Sequence, residues 1–402
     1  MRKIHVGIFT DSMDRGPISV RNYTKNLIKS LIQVGDPDVE IFLIHKQKSD
    51  DPLYKKANEL LFPFSARKTH ILSSVMTQLR EFYHNCSIQS KLSKLVDVIH
   101  IPHTGAVFAP PLCFYRKQTK LIVTLHGVSP LLLPPKSFYE GFALLSRIST
   151  LMQCLKWKIL RHKIDLIIAV SESEKRNISQ KLGIPRDKIK VIYPGVADDF
   201  KLNNDEEVKK VLEKYRIDFP FIFHISAYQP RKNVIRLIKA FHRLKIEKKV
   251  EHKLVIGGNQ SESVREAVKN LNMEKEVTFL GFVDDRDLPK LYTAADLFVF
   301  PSLHEGFGLP ILEAMACGAP VITSNVFCMP EVAGGAAVLV NPYDVNEIAR
   351  AMYNVLTNDE LRKEMIKRGM RRAKQFSWRK CAEEHLKAYK DILEPLQYSF
   401  YP

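Results

Sequence analysis

The sequence contains few cysteines, and their spacing matches no disulfide or metal framework. Six cysteines are spread over 402 residues, no two of them form a Cys-x-x-Cys pair, and no histidine pair stands near them at the spacing of a zinc site. A disulfide-stapled fold is therefore not expected, and the thiols are predicted to be reduced, as in a cytoplasmic protein. The cysteines are Cys86, Cys113, Cys154, Cys317, Cys328 and Cys381.

Long hydrophobic runs are also absent from the sequence. No stretch reaches the roughly 18 to 20 apolar residues that a membrane-spanning helix requires. The opening MRKIHVGIFTDS has only a short apolar run, and Asp11 and Asp14 follow where a signal peptide would carry small residues. We interpret this opening as a first buried strand and expect a cytoplasmic protein.

Acidic residues are scarce in the first half of the chain. Residues 1–200 carry 30 Lys and Arg against 17 Asp and Glu, a net charge of +13, whereas residues 201–402 carry 31 against 27. Such a surface attracts nucleic acid, an anionic membrane or a phosphorylated substrate, or it is simply a solvated basic face. Residues 142–163 are predicted to form a basic, partly apolar helix, which would suit either a membrane surface or a core-packed position with a basic outer face.

Short apolar runs alternate with helical segments along the whole chain. Runs of this kind are typical of strands buried on both faces of a parallel sheet. Two series of six predict an α/β protein with two doubly wound, Rossmann-like domains facing across a cleft, since 402 residues exceed one ordinary core. The runs cover residues 4–9, 39–45, 97–101, 120–127, 165–170 and 190–195 in the first series and 221–227, 253–258, 277–281, 297–302, 320–325 and 337–342 in the second.

The domain boundary is predicted in the polar segment that follows the first series of strands. We place the first domain at 1–198 and the second at 199–377. A final helix begins near Trp378, within a last segment at 378–402. Packing back on the first domain is one arrangement of this helix, which the sequence alone does not place.

The stretch HEGFGLPILEAMACGAPVIT, residues 304–323, puts a glycine-rich loop between a strand and a short helix. Pro310 suits the first helical position and Gly318 the residue just past the end, which predicts a helix over residues 310–317. The two glycines of the loop allow the backbone to approach a ligand closely. The free N–H groups at the start of the helix favour an anion at that point.

Two carboxylates flank this loop and helix. Glu305 lies on the loop and Glu313 inside the helix, which does not suit the two acids of a glycosidase, because those converge on a single bond from facing surfaces. A carboxylate accepts hydrogen bonds from hydroxyl groups. The two glutamates are therefore predicted to bind two sugar rings.

A basic pair follows another predicted strand in the motif QPRKN, residues 229–233. Arg231 and Lys232 fall at the start of the next helix, where positive charge is unfavourable by a few tenths of a kcal/mol. An anion between these side chains and the helix would explain them, because Arg binds phosphate bidentately and Lys acts as a point charge. A solvated loop is the alternative.

Taken together, these motifs resemble the signature of the retaining nucleotide-sugar glycosyltransferases of family 4, which have the GT-B fold. The resemblance rests on the Glu-x7-Glu spacing with its Gly-Phe-Gly turn and proline, and it is closest from about residue 190 to residue 380. It implies an acceptor-binding first domain and a donor-binding second domain.

The resemblance also implies roles for individual residues. Glu305 would contact the hydroxyl groups of the donor sugar, Glu313 would hold the ribose, and Arg231 and Lys232 would bind the diphosphate. His126, at the end of a strand, would contact the donor sugar near the point of transfer, although a lone histidine there can also be a core residue. The other implied donor-binding residues are Gly306, Phe307, Gly308 and Leu309 at the sugar and diphosphate, Gly281, Phe282 and Val283 at the base, and Gly16.

One glycine differs from the family pattern, and one pair of aspartates resembles a metal-binding motif. Family members often carry two glycines after the first strand, whereas this chain has Gly16 alone, so the acceptor-side contacts are open. Asp285 and Asp287 form an Asp-x-Asp pair, but acids before a helix are typical caps, and we predict capping and no metal. Ser171 is likewise predicted to cap a helix.

The sequence therefore predicts a hexosyltransferase that acts with retention of configuration, without a metal or other cofactor, in the cleft between the domains. The first expected donor is GDP-mannose, and the expected acceptor is a glycan or a lipid-linked sugar, which would bring the protein to the inner face of the cell membrane. A UDP-hexose-dependent enzyme or a sugar-phosphate synthase with the GT-B fold is the alternative. A nucleic-acid-binding protein is disfavoured, because the basic residues are dispersed and both glutamates would repel phosphate.

Overall fold

The computed structural model describes residues 2–15, 18–45, 51–62, 91–103, 119–133, 157, 161–227 and 229–394. These residues fold into two compact units. The first unit takes its described residues from Met1–Gly127, Met152–Pro194 and Trp378–Pro402. The second takes them from Val128–Leu151 and Gly195–Ser377.

Parallel strands form one sheet in each unit. The described strands of the first unit are β1 (Ile4–Phe9), β2 (Val39–His45), β3 (Asn58–Leu61), β4 (Val98–Ile101), β5 (Lys120–Leu125), β6 (Leu166–Ala169) and β7 (Ile189–Val191). Those of the second are β8 (Phe221–Ile225), β9 (Lys253–Gly257), β10 (Val277–Gly281), β11 (Leu297–Phe300), β12 (Val321–Ser324) and β13 (Val338–Val340). The strand orders are β3-β2-β1-β4-β5-β6-β7 and β10-β9-β8-β11-β12-β13, so each sheet winds outward in both directions from near its middle.

Helices connect these strands and cover the two sheets. The described α-helices, in chain order, are α1 (Asp11–Arg15), α2 (Ile18–Val34), α3 (Ser129–Leu132), α4 (Glu172–Leu182), α5 (Asp205–Tyr215), α6 (Val234–Lys248), α7 (Glu262–Asn270), α8 (Leu288–Ala294), α9 (Leu309–Ala316), α10 (Met329–Ala333), α11 (Val345–Thr357), α12 (Asp359–Ala373) and α13 (Trp378–Asp391). The fold is therefore the predicted α/β arrangement of two doubly wound, Rossmann-like units.

The predicted strands are confirmed, and the structure adds one more. Each of the twelve apolar runs overlaps a strand, because strands covered on both faces are mostly apolar, as in β11, where every residue is buried. β3 was not predicted. It is a four-residue edge strand that pairs with β2, and most of its residues are exposed, so its sequence NELL carries no buried pattern.

The final helix, α13, belongs to the first unit and packs against α2. Its buried residues recur at helical spacing, with Trp378, Cys381, His385 and Tyr389 on one face. The chain passes from one unit to the other near residues 195 and 377. The segments of the second unit next to these two points lie side by side, because the Val196 amide donates to the carbonyl oxygen of Phe376 at 3.0 Å.

No helix among the described residues is long and apolar enough to span a lipid bilayer. The basic helix predicted for residues 142–163 lies outside the described residues, except for Trp157 and residues 161–163. The prediction that Ser171 caps a helix is confirmed, because its Oγ accepts a hydrogen bond from the Glu174 amide at 3.0 Å at the start of α4.

Candidate functional site

The glycine-rich loop of the second unit leads directly into α9. This helix spans Leu309–Ala316, one residue earlier at each end than predicted. Gly308 has a φ of 99°, a left-handed conformation that favours glycine, and it ends the loop so that Leu309 can begin the helix. Pro310 is therefore the second helical residue rather than the first, and Cys317 stands between the last helical residue and Gly318, which has a left-handed φ of 83°. The free N–H groups of α9 therefore lie beside the loop, as expected.

Arg231 and Lys232 lie at the start of helix α6, as predicted, in the two positions before Asn233. They form a short 3-10 turn with Pro230, and Asn233 then takes a left-handed φ of 65° before α6 begins. The buried Asn233 side chain donates from Nδ2 to the carbonyl oxygens of Pro301 at 2.9 Å and Pro342 at 2.7 Å. This asparagine ties the turn to the ends of β11 and β13.

The turn delivers both basic side chains to the first glutamate of the glycine-rich loop. Arg231 Nη1 lies 2.9 Å from Glu305 Oε2, and Lys232 Nζ lies 2.8 Å from Glu305 Oε1. Arg231 Nη1 also donates to the carbonyl oxygen of His304 at 2.8 Å. The exposed fractions of the three charged side chains are only 18%, 15% and 10%. Two cations and one anion are thus largely shielded from water, with a net charge of +1.

The ionisation of these groups follows from that arrangement. Burial alone would raise the pKa of Glu305, but the neighbouring charges of Arg231 and Lys232 outweigh it and lower that pKa to about 2. Burial lowers the pKa of Lys232, and the charge of Glu305 opposes that effect. Glu305 is therefore an ionised, weakly basic hydrogen-bond acceptor at neutral pH.

A buried cysteine supports the glycine-rich loop from below. Cys328 is fully buried, and its Sγ lies 3.0 Å from the carbonyl oxygen of Glu305 and 3.1 Å from that of Phe307. Its thiol hydrogen is shared between the two carbonyls. No sequence motif indicates this contact, because Cys328 lies 23 residues after Glu305, and the sequence predicts only that its thiol is reduced.

The second glutamate has a different environment from the first. Glu313 is partly buried in α9, and its Oε2 accepts a long 3.4 Å hydrogen bond from the hydroxyl group of Tyr292. Burial raises the pKa of Glu313 to about 8, more than the Tyr292 hydroxyl lowers it, and the charge of Asp285 adds to the rise. At neutral pH, Glu313 is mostly protonated while Glu305 is ionised.

The remaining loops of the second unit end at the same edge of its sheet. Strands β10, β9, β8 and β11 are neighbours, so the loops after their carboxyl ends are adjacent. The Gly258 amide donates to the carbonyl oxygen of Gly281 at 2.7 Å, which joins two of these loops. Phe282 is 67% exposed, whereas Val283 is buried. The predicted base-contacting residues therefore lie on the same sheet edge as the charged cluster.

His126 belongs to the first unit and follows β5. Its ring is partly buried, Nε2 lies 2.8 Å from the carbonyl oxygen of Pro102, and its ring centroid lies 4.5 Å from that of Tyr23. Burial lowers the pKa of His126 to about 4, despite the opposing hydrogen bond to Pro102. The imidazole is thus neutral at physiological pH. Gly16, the other predicted residue of this half, lies outside the described residues.

The predicted capping role is wrong for Asp287. Asp287 precedes α8, but its side chain makes no capping hydrogen bond. It contacts Lys214 Nζ at 2.5 Å and Tyr215 OH at 3.0 Å instead, because α5 packs beside α8. In the part of the chain that the structure describes, no three His, Cys, Asp or Glu side chains are grouped so as to hold a metal ion.

Two family models match this chain, one in each half. The family model "Glycosyltransferase Family 4" matches residues 20–200, and "Glycosyl transferases group 1" matches residues 205–372. The chain belongs to the family 4 glycosyltransferases. The second of these matched regions contains the charged cluster, the glycine-rich loop and helix α9 of this family 4 chain.

Mannosyltransferases are among the related proteins. O-antigen chain mannosyltransferase B of Escherichia coli is 36% identical over 240 residues, which cover 58% of this chain and 63% of that protein. Serotype-specific mannosyltransferase WbdA of Escherichia coli is 33% identical over 239 residues, which cover 58% of this chain and 29% of that protein. The match to this family 4 chain thus spans less than two thirds of the length of either relative.

Solved structures agree on the fold. HepE of Anabaena in complex with UDP and glucose superposes with a TM-score of 0.75 at 17% identity, over 96% of this chain and all of that one. Sucrose-phosphate synthase of Thermosynechococcus elongatus gives a TM-score of 0.76 at 18% identity, over 97% and 99% of the two chains. The family 4 chain therefore has the predicted GT-B fold.

Proposed function

We propose that the protein transfers a hexose from a nucleoside diphosphate sugar to a glycan or lipid-linked acceptor. The observation that carries the proposal is the convergence of Arg231 and Lys232 on Glu305, beside the start of α9. A donor of this class carries an anionic diphosphate next to a sugar with several hydroxyl groups. The cluster offers cations for the first and an ionised carboxylate for the second.

The two cations support catalysis as well as binding. As the bond between the anomeric carbon and the phosphate oxygen breaks, negative charge develops on the departing diphosphate. Arg231, Lys232 and the N–H groups of α9 would stabilise that charge, because they are held in place before the reaction begins. We further propose that these groups take the place of a metal ion in stabilising the departing diphosphate.

The low basicity of Glu305 favours a retaining route without a covalent intermediate. A carboxylate with a pKa of about 2 is a poor nucleophile and a poor general base. In the proposed route, the acceptor oxygen attacks the anomeric carbon from the face that the phosphate leaves. The proton of the acceptor hydroxyl passes to the departing phosphate oxygen, so the sugar keeps its configuration.

His126 is assigned a contact to the donor sugar in this proposal. The carbonyl oxygen of Pro102 can only accept a hydrogen bond, so Nε2 of the neutral ring must carry its proton. Nδ1 is then a lone-pair acceptor. A sugar hydroxyl can donate to this atom, whereas a phosphate oxygen cannot.

Mannose from GDP-mannose is the first proposed donor, because two of the related proteins are named mannosyltransferases. A UDP-hexose is the next donor to test. Thermal unfolding with GDP, UDP, ADP and their sugar conjugates would identify the nucleotide, since a ligand at a hundred times its Kd stabilises by about 2.7 kcal/mol. We expect GDP and GDP-mannose to raise the Tm in the wild type, and no change in a Lys232→Ala variant.

The same panel can contradict the proposal. If the folded wild-type protein shows no change in Tm with any of these nucleotides, the proposed donor class is wrong. If binding is seen, transfer from GDP-mannose to mannosyl acceptors in the presence of EDTA tests metal independence. An α-linked product tests retention, because the donor is itself α-linked.

Donor binding is expected to depend on pH through Glu313. If the ribose hydroxyls bind the carboxylate form, a group with a pKa of about 8 must lose its proton first. The affinity for GDP-mannose should then rise about 50-fold between pH 6 and pH 8, following the ionised fraction. Isothermal titration across this range measures it, and the sugar-linked diphosphate itself does not titrate there. Glu313→Gln should bind weakly at every pH, and an unchanged wild-type affinity would contradict the ribose assignment.

A further inference from the structure

A chain of buried rings in the first unit connects His126 with helix α13. Tyr23, on α2, is 2% exposed and contacts His126 on one side and Trp378 on another. Its hydroxyl group lies 3.5 Å from Nε2 of His385. This chain is distinct from the charged cluster of the second unit.

A single hydrogen bond does not fix an imidazole. Among the described residues, the one hydrogen bond of His126 runs from Nε2 to Pro102, and it holds one corner of the ring but leaves the ring free to turn about it. The edge-to-face contact with Tyr23, at 4.5 Å and 86° between planes, blocks that rotation on one face. His103 lies 6.3 Å away, centroid to centroid, and gives a looser boundary. Of the contacts in the described residues, that of Tyr23 is therefore the one that most closely limits the direction of His126 Nδ1.

Tyr23 is itself held by the final helix. Its ring meets that of Trp378 at 5.4 Å and 69°. His385 Nδ1 lies 2.7 Å from the carbonyl oxygen of Cys381, so it carries the ring proton, and Nε2 is left to accept from the Tyr23 hydroxyl. The Tyr23 contacts on α13 thus define the position of its ring independently of His126.

We propose that Tyr23 is a positioning residue that orients His126 toward the donor sugar, with α13 as its support. The inference rests on the proposed function for the role of His126, but the orientation of the ring stands on the contacts alone. A tyrosine that only filled the core would not need to contact His126. Tyr23 instead packs its ring edge against one face of the partly buried His126 imidazole. Tyr23 would act through His126 and would not touch the substrate.

The test compares Tyr23→Leu with Tyr23→Phe. Tyr23→Leu removes the ring edge from His126, whereas Tyr23→Phe keeps it and loses the hydroxyl group near His385. We expect Tyr23→Leu to lower kcat for sugar transfer 10- to 100-fold with an unchanged affinity for the nucleotide, because a small displacement of a reacting group costs about that much. Tyr23→Phe should retain kcat within about twofold.

A matched control separates positioning from stability. Tyr54 is also a buried tyrosine of the first unit, with its hydroxyl group 2.8 Å from Thr10 Oγ1, and no described contact joins it to His126. Tyr54→Leu should lower the Tm in the same way as Tyr23→Leu and leave kcat unchanged. An equal loss of kcat in both leucine variants, or full kcat in Tyr23→Leu, would overturn the proposal.

A spectroscopic measurement tests the orientation of His126 without an activity assay. In protein labelled with 15N-histidine, His126 is identified by its loss in His126→Gln, and its shifts report which ring nitrogen carries the proton. Because the Pro102 carbonyl keeps the proton on Nε2 in each protein, the wild type and Tyr23→Phe should show one sharp Nδ1 resonance, and Tyr23→Leu a shifted or broadened one as the ring turns. An unchanged spectrum in Tyr23→Leu would refute the positioning role. A changed spectrum in a protein without transfer activity would refute the proposed function instead.

Discussion

Replacing Glu305 with glutamine is expected to lower the rate of sugar transfer about a thousandfold. The change removes the ionised acceptor proposed for the donor hydroxyls, and it also removes the anion that holds Arg231 and Lys232 in place. Steady-state release of GDP from GDP-mannose measures the effect. Glu206→Gln is a suitable control, because that glutamate is 79% exposed and pairs with Lys210 on the surface, where an ion pair contributes little.

The same substitution should destabilise the protein. Two cations that are mostly shielded from water would lose their only described carboxylate partner, which costs about 3 to 5 kcal/mol. Adding Lys232→Met to Glu305→Gln should recover part of that stability, because one unpaired charge is replaced by an apolar side chain, but it should not recover activity. Activity that returned together with stability would contradict the assignment of these residues to the donor site.

The pH dependence of unfolding provides a separate check on Glu305. Its pKa in the folded protein, about 2, lies below the ordinary value of 4.5. A depressed carboxyl pKa stabilises the fold above the ordinary value, and the contribution is lost as the pH falls from about 4.5 toward 2. Urea titrations between pH 2 and pH 6 should therefore show a shallower acid dependence in Glu305→Gln than in the wild type. Parallel curves would mean that the ion pairs are not formed in solution.

Replacing Asn233 with alanine is expected to cost about 3 to 8 kcal/mol of folding stability. Two buried carbonyl oxygens, those of Pro301 and Pro342, would lose their hydrogen bonds, at about 1 to 3 kcal/mol each. Alanine must also adopt the left-handed φ of 65°, which costs about 1 to 2 kcal/mol. Urea unfolding measures the sum, and isothermal titration with GDP should show weaker binding, because the turn carrying Arg231 and Lys232 is released.

A glycine at the same position separates the two causes. Asn233→Gly removes the conformational penalty but not the hydrogen-bond loss, so it should be about 1 to 2 kcal/mol more stable than Asn233→Ala. Asn233→Asp should be at least as unstable as the alanine variant, because a carboxylate would face two carbonyl oxygens. A loss below about 1 kcal/mol in Asn233→Ala would show that the asparagine does not hold the turn.

Much of the architecture could be predicted because its determinants are local. Strands covered on both faces are mostly apolar, so they stand out in sequence, and β3 was missed because an exposed edge strand lacks that pattern. The start of α9 was predicted to within one residue from Pro310 and the glycines before it. Glu305 and Glu313 were assigned to the loop and the helix for the same reason.

The finer geometry of the site depends on contacts between distant residues. The motif QPRKN does not indicate that Asn233 adopts a left-handed conformation, which turns Arg231 and Lys232 toward a loop 73 or more residues later. Asp287 was predicted as a cap because a capping side chain accepts hydrogen bonds from N–H groups close to it in sequence. Its actual partners lie on α5, more than 70 residues earlier. The opposite pKa shifts of the two glutamates likewise come from tertiary neighbours.

The membership of α13 in the first unit has a consequence for synthesis of the protein. A chain that leaves the ribosome from its amino end completes residues 195–377, and with them nearly all of the second unit, before Trp378, His385 and Tyr389 exist. The first unit, though begun earlier, cannot close its core around Tyr23 until these last residues emerge. The later-encoded unit is therefore the one that can mature first, and the earlier one must wait in an incomplete state.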